Sequence, residues 1–308
     1  DLVVVCTDTP YKGVYFFENT GVMDSETKLP VYKPSQRIGE AENNVSISYV
    51  NGEPLVTTPG EWYPDFKNTT FEKPEIISAP EANIIYPHGR IRANQWQFVD
   101  FNGNKILDLI VGIGVCGPRE YRGSQYYGWD DAFNENGQWE NGPLHGYIYL
   151  IENHGSNENP KYKKPIQLLN TDGLPLNVYG RPSPNFADFN GDGKPDIICG
   201  EFRDGFTFFE NAGSKTTPLF APGRPLTNGD KIIRMDLCMI TPVAYDFNGN
   251  GWLDLIVGDE DGRVALVEHT GKVIDGMPVF LPPRYFRQEA EDVKFGALAT
   301  PFGYDWNA

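Results

Sequence analysis

The sequence predicts an all-β chain built from repeated four-stranded units, the plan of a β-propeller. Three observations predict it. A nine-residue acidic stretch recurs as Asp100-Phe-Asn-Gly-Asn-Lys-Ile-Leu-Asp108, Asp188-Phe-Asn-Gly-Asp-Gly-Lys-Pro-Asp196 and Asp246-Phe-Asn-Gly-Asn-Gly-Trp-Leu-Asp254, and a fourth copy opens at Asp305-Trp306-Asn307. The copies begin 88, 58 and 59 residues apart, and self-similarity at a near-constant period marks a repeat architecture. The 308 residues include 33 Gly and 25 Pro, which suits many short strands joined by turns.

Each unit keeps one order. An apolar strand runs into the acidic stretch, and a second strand follows it: Leu109-Ile-Val-Gly112, Ile197-Ile-Cys-Gly200 or Leu255-Ile-Val-Gly258. After a variable loop comes an aromatic-rich third strand ending in Glu-Asn or Glu-His, over residues 14–19, 147–153, 206–211 and 264–269. A segment with Pro and an aromatic residue (30–32, 160–162, 218–220, 278–280) takes the fourth-strand slot. Residues 1–40 then supply three strands of a first blade. Residues 45–80 form a degenerate second blade, with Asn51-Gly-Glu53 in place of the acidic stretch. Regular blades fall at 95–169, 183–227 and 241–285, and 297–308 opens another. This makes about five blades in a single domain over 1–308. The last strand either completes the first blade and closes a ring of five, or the ring continues. An acidic stretch that stops mid-loop favours an incomplete ring, with seven blades in the intact protein. The opening Asp1-Leu-Val-Val-Val5 matches Asp254-Leu-Ile-Val, so a processed or truncated chain is expected.

The acidic stretch carries the first candidate chemistry. Asp188, Asn190, Asp192 and Asp196 put oxygen-bearing side chains at positions 1, 3, 5 and 9, and the Lys194 carbonyl falls at position 7. Such a loop can wrap a hard cation, and calcium takes several oxygen ligands. Asp100, Asn102, Asn104 and Asp108, like Asp246, Asn248, Asn250 and Asp254, offer two carboxylates each and are expected to bind Ca2+ more weakly. The competing reading is an Asx-turn held by its own hydrogen bonds. In either case the role is structural.

Composition excludes several classes. A net charge of −16 opposes binding nucleic acid through the overall field. No apolar run approaches the ~18 residues of a membrane helix. The four cysteines lack CxxC spacing, and Cys6 and Cys199 read as buried free thiols. No GxSxG, HExxH, P-loop or dinucleotide fingerprint is present.

The run Asp188-Phe-Asn-Gly-Asp-Gly-Lys-Pro-Asp-Ile-Ile198, followed by Phe208-Phe-Glu-Asn-Ala-Gly-Ser214 and Pro218-Leu-Phe220, resembles the VCBS/FG-GAP repeat proteins over nearly the whole chain. The resemblance implies a calcium-binding propeller, commonly exported, and so a secreted or periplasmic location. The Trp129-Asp130-Asp131 region and Gly142-Pro-Leu-His-Gly146 are similar to uncharacterised exported propellers of polysaccharide-degrading bacteria, and some related propellers are uronate lyases or rhamnosidases.

Strand order separates two faces. The acidic loops lie at one end, while the loops joining strands 2 and 3 and those joining successive blades lie at the other, where function is expected. One loop of that second kind, over 113–146, is far longer than its counterparts at 201–205 and 259–263. It carries Tyr126, Tyr127, Trp129, Asp130, Asp131 and His145, aromatic rings for sugar C–H faces beside polar groups for hydroxyls. Neighbouring loops add His88, Arg90, Arg92 and Trp96, then Arg181, Glu201, Arg203 and Arg234. Planar guanidinium forks suit carboxylate, so an acidic oligo- or polysaccharide is the expected partner, against single ion pairs such as Arg203 with Glu201. A uronate lyase needs a cation, a base and an acid. Arg181, His88 or His145, and Tyr126 or Tyr127 are the candidates. A glycoside hydrolase would use paired carboxylates, with Asp130, Asp131 and Glu201 available. A non-catalytic glycan- or protein-binding propeller is the alternative to both.

Overall fold

The computed structural model describes residues 1–79, 91–116, 144–289 and 299–303, with the side chains of 91–93 and 115–116 outside that description. The described chain is nearly all β. Its only helix among these residues is the single turn Phe66–Thr69.

Five antiparallel sheets of four or more strands follow one another along the chain. The first joins Leu2–Cys6, Gly13–Phe17 and Gln36–Gly39, and the second joins Ser46–Val50, Glu53–Thr58, Glu61–Trp62 and Glu75–Ile76. The third holds Ile91–Val99, Asp108–Cys116, Leu144–Ile151 and Ile166–Gln167, with Asn177–Val178 also paired to Leu144–Ile151. The fourth runs Ser183–Ala187, Asp196–Gly200, Phe206–Phe209, Arg224–Pro225, and the fifth Thr241–Tyr245, Asp254–Gly258, Val264–Val267, Arg284–Tyr285. The second strands of the regular units are buried on both faces, which explains their unbroken apolar runs.

Three expectations change. The strand Thr300–Gly303 does not open a further sheet: it pairs with Leu2–Cys6, Val3 opposite Phe302, and completes the first sheet as its fourth strand. The insertion is narrower than 113–146, because Asp108–Cys116 and Leu144–Ile151 extend into it as a long hairpin, His145 opposite Val115. The Pro-aromatic segments are not the fourth strands of the large sheets. They fold back onto the Asn/His that ends strand 3, in the pairs Asn19↔Tyr32, Asn153↔Tyr162, Asn211↔Phe220 and His269↔Phe280. All four aromatic rings are buried there, and the sheet-forming strand comes later. Burying a large ring outweighs a few edge hydrogen bonds, so the ring plugs the sheet end and the chain pairs farther on.

The core is divided among the seams between sheets. Val3, Val14 and Phe302 meet Ile47 and Val56 between sheets one and two; Trp96, Leu109 and Val111 meet Ile77 between two and three. Ile110 and Ile148 meet Ile197 and Phe209 between three and four, and Ile198 and Phe208 meet Leu255 and Val267 between four and five. Val4 and Phe17 meet Ile256 and Leu266 between the fifth sheet and the first. That last seam is also latched by a parallel pairing of Arg287–Gln288 with Val31 and Tyr32, and by Arg287 ion pairs to Asp24 and Glu26. Cys6 and Cys199 are buried thiols in no disulfide.

Candidate functional site

The three described acidic loops fold alike. The last carboxylate is fully buried and accepts two backbone N–H groups, one from the loop's second residue and one from the Asn or His that ends strand 3. Asp108 takes Phe101 and Asn153, Asp196 takes Phe189 and Asn211, and Asp254 takes Phe247 and His269. This links the recurrent final Asp to the recurrent Glu-Asn/His, two signals about 15 residues apart in the two shorter repeats. Desolvation drives these carboxyls up, Asp108 and Asp254 to about 6 and Asp196 to about 7.

The first carboxylate and the side chains at positions 3 and 5 bind the loop's own backbone. Asp188 accepts from Gly191 and Gly193, Asn190 from Asp192, and Asp192 from Lys194, all within 2.7–3.1 Å. Asp246, Asn248 and Asn250 repeat the pattern, as do Asp100, Asn102 and Asn104. These oxygens therefore cap the loop's own N–H groups, and carboxylate and amide oxygens keep further lone pairs that a cation could use. Two features rank the loops differently from carboxylate count. In the loop 100–108, Asp100 Oδ1 is buried with no hydrogen-bond partner. In the loop 188–196, Lys194 Nζ lies 2.9 Å from both Asp192 Oδ2 and the Asn211 carbonyl, so an internal ammonium already offsets one of the three carboxylates. Among the described residues, no three His, Cys, Asp or Glu side chains gather to hold a metal ion; the loops mix carboxylates with amides instead.

The other end of the third and fourth sheets carries His145, Tyr147, Asn177, Tyr179 and Arg203. His145 stacks on Tyr147 with ring centroids 5.6 Å apart and planes at 8°. Its Nδ1 lies 3.3 Å from Asn177 Oδ1, an acceptor that an Nδ1–H would satisfy. The Arg203 guanidinium sits 4.2 Å from the centre of the Tyr179 ring, and the Phe202 ring lies 6.3 Å from that ring at a tilt of 53°. Gly180 makes this turn possible: its φ is +83°, and a Cβ there would lie 2.5 Å from Phe202 Cβ.

Of the sequence candidates, His145 and Arg203 come to this surface, and Arg181 follows Gly180 on the same turn. Glu201 accepts the Thr207 hydroxyl in place of a pair with Arg203. Arg234 is tied to Asp204. Trp96 is a correction: it is fully buried between sheets two and three, its Nε1 donating to Asn94 at 2.6 Å, because its place in the first strand of the sheet faces the core. His88, Arg90, Tyr126, Tyr127, Trp129, Asp130 and Asp131 lie outside the described residues, as does the Arg92 side chain.

Sequence reading did not anticipate a cavity of about 480 Å3 at the acidic-loop end, where Tyr49, Gln97, Asn185 and Asp188 meet. Ser48 also lines it, and Ser48 Oγ is buried without a hydrogen-bond partner, as are Gln95 Nε2 and Thr241 Oγ1 elsewhere in the first strands. The signal was present as polar residues in otherwise apolar first strands, Ser46-Ile-Ser48 and Gln95-Trp-Gln97.

No family model matches the chain, and no curated protein matches it. Among solved structures, the chain is similar to part of a Photorhabdus luminescens Tc holotoxin pore, at 15% identity and a TM-score of 0.35. That alignment covers 92% of this chain and 11% of the other, and a likeness this low carries no argument.

Proposed function

We propose that the protein is a five-bladed, calcium-stabilised propeller that binds an acidic polysaccharide on the His145 end and cleaves it by β-elimination. The propeller reading is supported by five consecutive sheets, each sharing a hydrophobic cluster with the next and the fifth sharing one with the first. The observation that carries the activity is the placement of His145: its Nδ1 lies 3.3 Å from Asn177 Oδ1, and the ring stands at the same sheet end as Arg203 on Tyr179. In this reading Arg203 and Arg181 meet the uronate carboxylate, and the Tyr179 ring supports the sugar. His145 Nε2 takes the C5 proton. The C5–H electron pair forms the C4–C5 double bond as the C4–O bond breaks, and an acid on the same face protonates the leaving oxygen. Tyr126 and Tyr127 remain the proposed acids.

Support for calcium comes from the oxygen-bearing side chains at loop positions 1, 3, 5 and 9 and from the buried, unpartnered Asp100 Oδ1. Asp100, Asn102, Asn104 and Asp108 would hold it in the first loop, where it would fix the loop against the sheet. Calcium at about a hundredfold above its Kd then stabilises the fold by ~2.7 kcal/mol, read as a Tm rise reversed by chelator. Lys194→Met is expected to tighten calcium binding several-fold in the loop 188–196, because the competing ammonium is gone. An unchanged affinity in titration calorimetry would remove that role for Lys194.

The activity is tested on uronate-containing polysaccharides, reading ultraviolet absorbance of the unsaturated product together with reducing ends. Both rise for a lyase. His145→Ala abolishes turnover with binding retained, and Arg203→Ala weakens binding about tenfold, the worth of one charge-assisted contact. Reducing ends without absorbance indicate hydrolysis. Binding with neither signal makes the protein a glycan-binding module.

A further inference from the structure

The seam between the second and third sheets differs from its neighbours for a reason written in the sequence. The second residue of each of the three described acidic stretches is Phe, and its ring enters the cluster between its own sheet and the following one. Phe101 fills the seam of sheets three and four, Phe189 that of four and five, and Phe247 packs into that of five and one. The second sheet has Asn51-Gly52 there, a two-residue turn with φ of 55° and 84°, and neither residue carries a ring. Left in the seam is a cavity of about 380 Å3. Its walls are Leu55, Trp62, Ile77, Phe98 and Tyr162, with Val50 at one side. The Trp62 and Phe98 rings meet edge to face, centroids 5.8 Å apart at 84°.

Its charged groups are all of one sign. Glu75 and Glu158 line it, and among the described lining residues there is no Lys, Arg or His. Trp62 Nε1 donates to Glu75 Oε2 at 3.1 Å, tying that carboxylate to the indole edge. Both glutamates are exposed, which puts their carboxyl groups at the mouth while the rings lie deeper.

We infer that this cavity binds a small organic cation with an apolar body, an amine or a quaternary ammonium. The apolar walls take the body out of water, the indole and phenol faces attract the cationic head, and the two carboxylates, which no described lining Lys, Arg or His offsets, supply the countercharge. The site lies at the acidic-loop end, opposite His145 along the third sheet's central strands, so it stands or falls separately from any activity there.

Titration calorimetry of the whole chain with 2-phenylethylammonium tests it, with 2-phenylethanol as the uncharged body. The ammonium binds, and the alcohol binds at least about tenfold more weakly. Trp62→Ala removes measurable binding. Val50→Phe, which returns a ring to the seam, blocks binding while Tm holds or rises. Because Glu75 and Glu158 are exposed, the double variant Glu75→Gln/Glu158→Gln keeps the fold and loses about tenfold in affinity. Absence of heat with the wild-type chain, equal affinity for the alcohol, or undiminished binding by the glutamine pair or by folded Val50→Phe each overturns the assignment.

Discussion

Asp196→Ala is expected to cost about 4 kcal/mol, a drop in Tm of roughly 10 °C for a chain of this size. The carboxylate is fully buried, and its two oxygens hold the Phe189 and Asn211 N–H groups at 3.3 and 2.8 Å. Truncation leaves both donors in a dry site, each worth about 1–3 kcal/mol when unsatisfied. It also unties the acidic loop from the end of strand 3, where Asn211 in turn organises Ser214, Gly213 and Leu219. Asp196→Asn keeps one acceptor and sheds a charge that burial disfavours, so it should lose less than half as much. Chemical denaturation with calcium chelated separates this packing role from any metal contribution. A loss below about 1 kcal/mol for the alanine variant would mean the loop is held by its Asx turns alone.

Phe302→Ala is the second large effect, at about 3–5 kcal/mol. The ring is 1% exposed and sits opposite Val3 in the pairing that completes the first sheet. It packs with Val5, Ile47 and Val56 and meets Phe66 edge to face at 5.7 Å. The strand has four residues, so its hydrogen bonds alone hold it weakly, and the ring anchors it in the seam of sheets one and two. Removing the anchor should raise protease cleavage near 299–303 as well as lower Tm. A variant with wild-type Tm would show that closure of the first sheet adds little to the fold.

Much of this was legible in the residues. Hydrophobic strands alternating with Asp-x-Asn-x-Asp/Asn loops announced repeated antiparallel sheets, because period, turn chemistry and apolar runs are local properties. Even the degenerate second unit was placed correctly: Asn51-Gly52 favours a tight hairpin by its own left-handed preference. Trp96 was misplaced because a strand residue's face depends on which neighbour packs against it, and the neighbouring sheet comes from residues far away in sequence. The Pro-aromatic segments read as strands for the same reason, since only the assembled sheet end shows Tyr162 or Phe220 as a plug on Asn153 or Asn211.

What the sequence alone determined is the recurring unit: its strands, its acidic loops and the chemistry those loops can offer. What only the tertiary structure decided is how units meet. The pairing of Thr300–Gly303 with Leu2–Cys6, the Lys194 ammonium on Asp192, and the cavity where Asn51-Gly52 lacks a Phe all depend on contacts between distant segments. Such contacts are set by burial and charge in three dimensions, which no local pattern encodes.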